Sequence, residues 1–146
     1  MVYFRTPKRK PIQETEKLEC GVMSLMKQTT DATGRLGEAL ASAYLQTQNF
    51  RILESNVRFG RYEIDIVAYD PKENMIVFVE VKARSKFDNR YPIRTAVDSR
   101  KRRAMQAAIA RWVLKHTYEG PARIDVICVA EGKVQNHIVN IGAEFF

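Results

Sequence analysis

The sequence predicts a small mixed α/β sandwich. Three observations carry that expectation. Helical apolar periodicity appears in two separate segments, and five strand-like runs surround them. The second helical segment also falls between the third and fourth runs, where a right-handed crossover makes those two strands parallel. At 146 residues the chain suits a single domain. Its hydrophobic share of 45% is enough to bury a real core. A domain of this size removes roughly 70% of the unfolded chain's surface from water.

Residues 1–28 differ from the rest. Pro7, Pro11 and the cluster Lys8-Arg9-Lys10 precede a weakly helical stretch, and six Lys/Arg against three Glu give this segment +3. It reads as a basic N-terminal arm, partly disordered or forming a short helix over 12–28, ahead of an α/β domain over 29–146.

The elements of that domain follow in order. A helix starts between Thr30 and Gly34 and runs to about Gln48. Leu36, Ala39, Leu40, Ala43 and Tyr44 share one face of it. Asp31 or Thr33 caps its start, and Asn49 can take the left-handed turn at its end. Strands follow over Arg51–Val57, Tyr62–Tyr69 and Met75–Ala83. Asp70-Pro71-Lys72-Glu73-Asn74, a strong turn signal, separates the last two. A second helix runs from Asp98 to about His116, capped by Asp98 or Ser99, with Gly120-Pro121 beyond its end. Arg123–Ala130 and Lys133–Ile141 are the last strands, joined by Glu131-Gly132. The order is therefore αβββαββ.

Several function classes drop out. No stretch approaches the roughly 18 apolar residues of a membrane span, so no membrane partner is expected. The N-terminus lacks the apolar core of a signal peptide. Cys20 and Cys128 form no CxxC, which fits a reducing cytoplasm and argues against a zinc site. His116 and His137 are the only histidines. Chemistry here must rest on carboxylates and lysines.

The hairpin between the second and third strands brings such groups together. If its turn holds an even number of residues, with Tyr69 opposite Ile76, then Asp65 faces Glu80 across the ladder, Cβ atoms about 5 Å apart. Lys82 lies two residues beyond Glu80 and points to the same side. Glu80 also ends the apolar run Met-Ile-Val-Phe-Val, where a carboxylate is costly unless paired or metal-bound. Two carboxylates at that separation repel, and a divalent cation relieves the repulsion. Hard oxygen ligands favour Mg2+ or Mn2+ over zinc. A structural Glu80–Lys82 ion pair is the plainer alternative.

Gly34-Arg35-Leu36-Gly37-Glu38-Ala39, Tyr62-Glu63-Ile64-Asp65-Ile66-Val67-Ala68 and Phe78-Val79-Glu80-Val81-Lys82-Ala83-Arg84 together resemble the YraN family. That bacterial family is related to archaeal Holliday junction resolvases within the PD-(D/E)xK nuclease superfamily. The resemblance covers about Thr33 to Ile141. It implies a restriction-endonuclease-like fold in which Asp65 and Glu80 bind metal and Lys82 is the catalytic lysine. Glu38, on the first helix, would be the additional acid of the site and the third metal residue. It further implies branched DNA as substrate and a homodimer. One departure stands out: Tyr62 occupies a position where the family usually has glycine. On the helical wheel Glu38 falls off the main apolar face but among small residues, and Gly37 beside it lets another backbone approach. Glu63, two residues before Asp65, reads as a surface or supporting acid.

Between Lys82 and Arg103, nine Lys/Arg and two Asp give +7, equal to the net charge of the whole chain. Binding a phosphate backbone needs such a cluster. Arg84, Arg100, Lys101, Arg102 and Arg103 are the candidate DNA-binding residues. The last four open the second helix, where cations oppose its dipole and a docked anion would offset the cost. Lys101 falls on the wheel among Val97, Ala104, Met105, Ala108 and Trp112, and is expected to point toward Asp65 and Glu80 and help hold the scissile phosphate, with a lysine that snorkels out past the helix end as the alternative. Phe87 and Tyr91, in the intervening loop, read as loop packing, with stacking on bases as the alternative. Asp125 reads as a structural partner for Arg123 or another basic side chain, with a third acid near the active end of the sheet as the alternative, and His137 as an ordinary strand residue.

The sequence thus leads to a metal-dependent DNA endonuclease, with catalytic candidates Glu38, Asp65, Glu80 and Lys82. A non-catalytic nucleic-acid-binding module on the same scaffold is the alternative, and a protein-interaction subunit that uses the arm is a weaker one.

Overall fold

A computed structural model describes residues 30–86 and 99–141. The arm, the expected helix over 12–28, Phe87, Tyr91 and the Asp98 cap lie outside the described residues.

Helix α1 spans Thr30–Thr47 and ends as the sequence predicts, with Asn49 in the left-handed region at φ 66°. Strands β1 (Arg51–Phe59), β2 (Tyr62–Asp70) and β3 (Met75–Arg84) follow. Helix α2 spans Ser99–His116, and β4 (Ala122–Ala130) and β5 (Lys133–Ile138) are the last elements among the described residues. The five strands form one sheet in sequence order. β3 and β4 are parallel and all other neighbours antiparallel. This is the predicted αβββαββ sandwich.

β5 stops three residues short of its expected end. Asn140 turns the chain at φ 57°, and the Ile141 amide donates to the Ile124 carbonyl at 2.8 Å instead of extending the edge ladder. β1 runs two residues further than expected, with a register shift between Ile52 and Glu54.

Two apolar layers flank the sheet, and strand alternation sorts residues between them. Ile76 and Phe78 pack with Met105, Ala108, Ile109 and Trp112 of α2. Ile66, Ala68, Val77 and Val79 pack with Ala41 and Leu45 of α1. The near-continuous apolar runs of β2, β3 and β4 follow from burial on both faces. Trp112 is the largest fully buried side chain. Its ring meets Phe78 edge-on at 5.3 Å, and Nε1 donates to Glu54 Oε1 at 2.7 Å, so its one polar atom is satisfied.

The β2–β3 turn has the even length that the candidate site requires. Asp70 Oδ1 accepts from the Lys72 and Glu73 amides at 3.0 and 3.3 Å, and Asn74 takes φ 53°. The ladder above it pairs Tyr69 with Ile76 and runs to Ile66 with Val79. It stops there, one pair short of Asp65 opposite Glu80.

Candidate metal and nucleic-acid site

The halt in the ladder shapes the site. Strict alternation from Val67 would send Ile64 to the α1 side, yet Ile64 packs in the α2 layer with Val57 and Val67. Asn56, at φ 54° within β1, marks the irregularity on the paired strand. Beyond Ile66, β2 no longer bonds to β3 through its backbone. The Asp65 carboxylate takes over that role, with Oδ2 accepting from the Val81 amide at 2.7 Å.

Glu80 and Lys82 alternate with Phe78 on β3, so both face α2. Lys82 Nζ lies 2.8 Å from Glu80 Oε1. Lys101 Nζ reaches the same oxygen from the first turn of α2, at 3.2 Å. The inward wheel position of Lys101 is therefore realised, and two ammonium groups converge on one carboxylate oxygen. Glu80 is 2% exposed, and its other oxygen, Oε2, is buried without a hydrogen-bond partner.

The electrostatics follow from this crowding. Burial and the adjacent Glu80 charge push the Asp65 carboxyl up to about 7, against the Val81 hydrogen bond and the Lys101 cation, which pull it down. Burial draws Lys101 down, but the carboxylates of Glu80 and Asp65 outweigh it and leave the ammonium above its usual range.

Glu38 reaches the site from the opposite layer. Its helix packs on the far face of the sheet, where Gly37 lies so close to β3 that a Cβ there would sit 2.5 Å from Ala83 Cβ. That close approach brings Glu38 to the region where β2 and β3 part, and its charge adds to the upward pressure on Asp65. Among the described residues no three acid, His or Cys side chains stand close enough together to hold an ion unaided. An ion here would take its remaining ligands from water.

The other candidates are placed as follows. Arg84, Arg100 and Arg103 are exposed, and Arg102 is half-buried. Glu63 pairs with Arg58 at 3.0 Å on the surface, as its supporting role requires. Asp125 faces α1, on the side of the sheet away from Glu80, and is fully buried. It accepts from Arg123 Nε at 3.0 Å and the Asn140 amide at 2.9 Å, and its Oδ2 lies 2.9 Å from His137 Nε2. The expected Arg123 partnership holds. The bond to His137 is missed by the sequence, because nothing local ties residue 137 to residue 125 once the turn between them is crossed. A cavity of about 670 Å³ opens beside Arg123 and His137, between α1 and the start of β4, and does not include Glu80.

A family model described as "Uncharacterised protein family UPF0102" matches residues 37–129. The chain belongs to the UPF0102 family. This is the YraN-like family that the three motifs resemble, and its matched range encloses Glu38, Asp65, Glu80, Lys82 and the basic start of α2. A UPF0102 protein of Pelobacter propionicus is 42% identical over 99 residues, covering 66% of this chain and 69% of the relative. One of Trichlorobacter lovleyi is 41% identical over 108 residues, covering 73% and 84%. One of Anaeromyxobacter dehalogenans is 39% identical over 115 residues, covering 78% and 84%. Among the described residues no helix is long and apolar enough to cross a membrane.

Proposed function

We propose that this UPF0102 protein is a metal-dependent nuclease that hydrolyses phosphodiester bonds in DNA. Glu80 carries the proposal. A buried carboxylate oxygen with no donor costs about 1–3 kcal/mol, and a divalent cation at Oε2 supplies what is missing. Asp65 offers a second hard oxygen beside it, so the donor set fits Mg2+ or Mn2+. Asp65 and Glu80 would hold the ion, with Glu38 adding negative field from α1. Once bound, such an ion lowers the pKa of its water and stabilises charge on a phosphoryl oxygen.

The chain's own groups supply the rest. Lys82, steered by Glu80 Oε1, presents its remaining N–H bonds to the attacking water or to the charge that develops on phosphorus-bound oxygen. Lys101 brings a second ammonium from α2 to the scissile phosphate. Arg84, Arg100, Arg102 and Arg103 hold flanking phosphates. None of these residues reads base edges, so selectivity falls on DNA structure, with branched DNA the expected substrate and a homodimer the expected acting form.

The double pairing at Glu80 Oε1 also favours a second reading, in which the two lysines neutralise Glu80 without an ion and the protein only binds nucleic acid. One experiment separates the two. Purified protein is offered duplex, flap and four-way-junction DNA with Mg2+ or Mn2+. The nuclease reading expects cleavage that Asp65→Ala and Glu80→Ala abolish while binding persists. Binding with no cleavage under either ion leaves only the binding module.

A further inference from the structure

Helix α2 carries six Lys/Arg and no acidic residue. Lys101 turns inward to Glu80, whereas Arg100, Arg103 and Arg111 are exposed and share the outward side of the helix at 100° per residue. Arg111 differs from a solvated surface arginine. Its Cζ sits 4.7 Å from the centroid of the Tyr62 ring at the β1–β2 hairpin, and Nη1 donates to the Ala107 carbonyl at 3.0 Å. Arg61 joins the same ring at 5.2 Å, and its Nη2 donates to Tyr62 Oη at 3.2 Å. Two guanidinium groups thus share one aromatic ring. Among the described residues neither has a carboxylate partner, since Glu63 of the same hairpin is engaged by Arg58. The ring contact and the Ala107 bond restrain the Arg111 guanidinium while the residue stays exposed, which lowers the entropy lost on gripping an anion.

We propose that the sugar–phosphate backbone of a DNA strand runs from the Glu80 site along the outward face of α2 to the β1–β2 hairpin, where Arg111, held over the Tyr62 ring, grips a phosphate. The inference rests on the nucleic-acid binding proposed above and adds its direction and length. Arg111 lies ten residues beyond Lys101, about 15 Å along the helix axis. Tyr62 lies three residues before Asp65, about 10 Å along the strand. A duplex advances about 3.4 Å per nucleotide along its axis, so with that axis parallel to the path the Arg111 contact falls about three or four nucleotides from the scissile position.

The test is binding of fluorescent duplexes of graded length, in EDTA, over a range of salt concentrations. EDTA removes cleavage from the readout. Arg111→Ala should weaken binding and reduce the slope of log K against log salt by about 0.9, the loss of one phosphate contact. Arg111→Lys, which keeps the charge and loses the fork, should keep the slope and still bind more weakly. Tyr62→Ala should weaken binding without removing a charge. Wild type and Arg111→Ala should converge on duplexes too short to span both ends of the path. An unchanged slope for Arg111→Ala, alongside a reduced slope for the double Arg100→Ala, Arg103→Ala variant, overturns the path and leaves DNA binding standing. If Arg111→Ala fails to fold, an affinity for Arg111→Lys equal to wild type overturns the path as well. A wild type that binds and never cuts defeats the nuclease reading and leaves the path intact. A wild type with no affinity for nucleic acid defeats both.

Discussion

Replacing Asp65 by Asn removes a charge from the most crowded point of the molecule while keeping its shape. The amide oxygen can still accept from the Val81 amide, so the tie between β2 and β3 survives. The Asp65 carboxyl titrates near 7 in the folded protein and near 3.8 when unfolded. Because the folded value is the higher, the folded state keeps its proton after the unfolded chain has lost one. Stability from this group is complete below about pH 4, falls as pH rises through the window up to about 7, and then levels off. Roughly three pH units at about 1.4 kcal/mol each set a ceiling of about 4 kcal/mol, and coupling to Glu80 brings the expected loss to about 2–4 kcal/mol. Urea unfolding in EDTA at pH 5 and pH 8 reads this directly. Wild type should lose about 2 kcal/mol or more relative to Asp65→Asn between the two conditions. Parallel pH dependences would refute the account of Asp65 as a carboxylate held against its charge.

Three further outcomes follow from the same geometry. Mn2+ should raise the unfolding temperature of wild type at pH 8 and leave Asp65→Asn and Glu80→Gln unmoved; saturation at a hundred times Kd corresponds to about 2.7 kcal/mol, and equal shifts in all three would place the ion elsewhere. Gly37→Ala pushes α1 off β3, because its new Cβ meets Ala83 at 2.5 Å, and should cost about 1–3 kcal/mol in thermal unfolding. Arg123→Ala strands two buried carboxylates, Asp70 and Asp125, each now 3.0 Å from the guanidinium, and should cost about 3–5 kcal/mol; an unchanged unfolding midpoint would show that the pair is not what holds the start of β4.

Much of the site was legible because short-range signals govern it. The Asp-Pro-Lys-Glu-Asn turn fixes an even hairpin, and that register sends Glu80 and Lys82 to the α2 side and brings Asp65 next to β3 at Val81. The helical wheel alone carries Lys101 inward. What the sequence hides lies where local rules yield to tertiary ones. Alternation predicts Asp65 squarely opposite Glu80, but the ladder ends at Ile66 and Val79, and a side chain replaces the backbone bond. Nothing in the residues around Asn56 announces its left-handed conformation inside a strand. The contact of Tyr62 with Arg111 joins two segments about fifty residues apart, and no periodicity connects them. The Asp125–His137 bond is hidden in the same way.

The parallel pairing of β3 with β4 has a consequence for assembly. β1, β2 and β3 are joined by tight hairpins and can meet early, whereas β3 finds β4 only after the whole crossover has closed, a slow step in loop entropy. Glu80 and Lys82 ride on the early meander, and Lys101 arrives with the crossover. On that order of assembly Glu80 would have Lys82 alone for a partner until the crossover closes and Lys101 arrives.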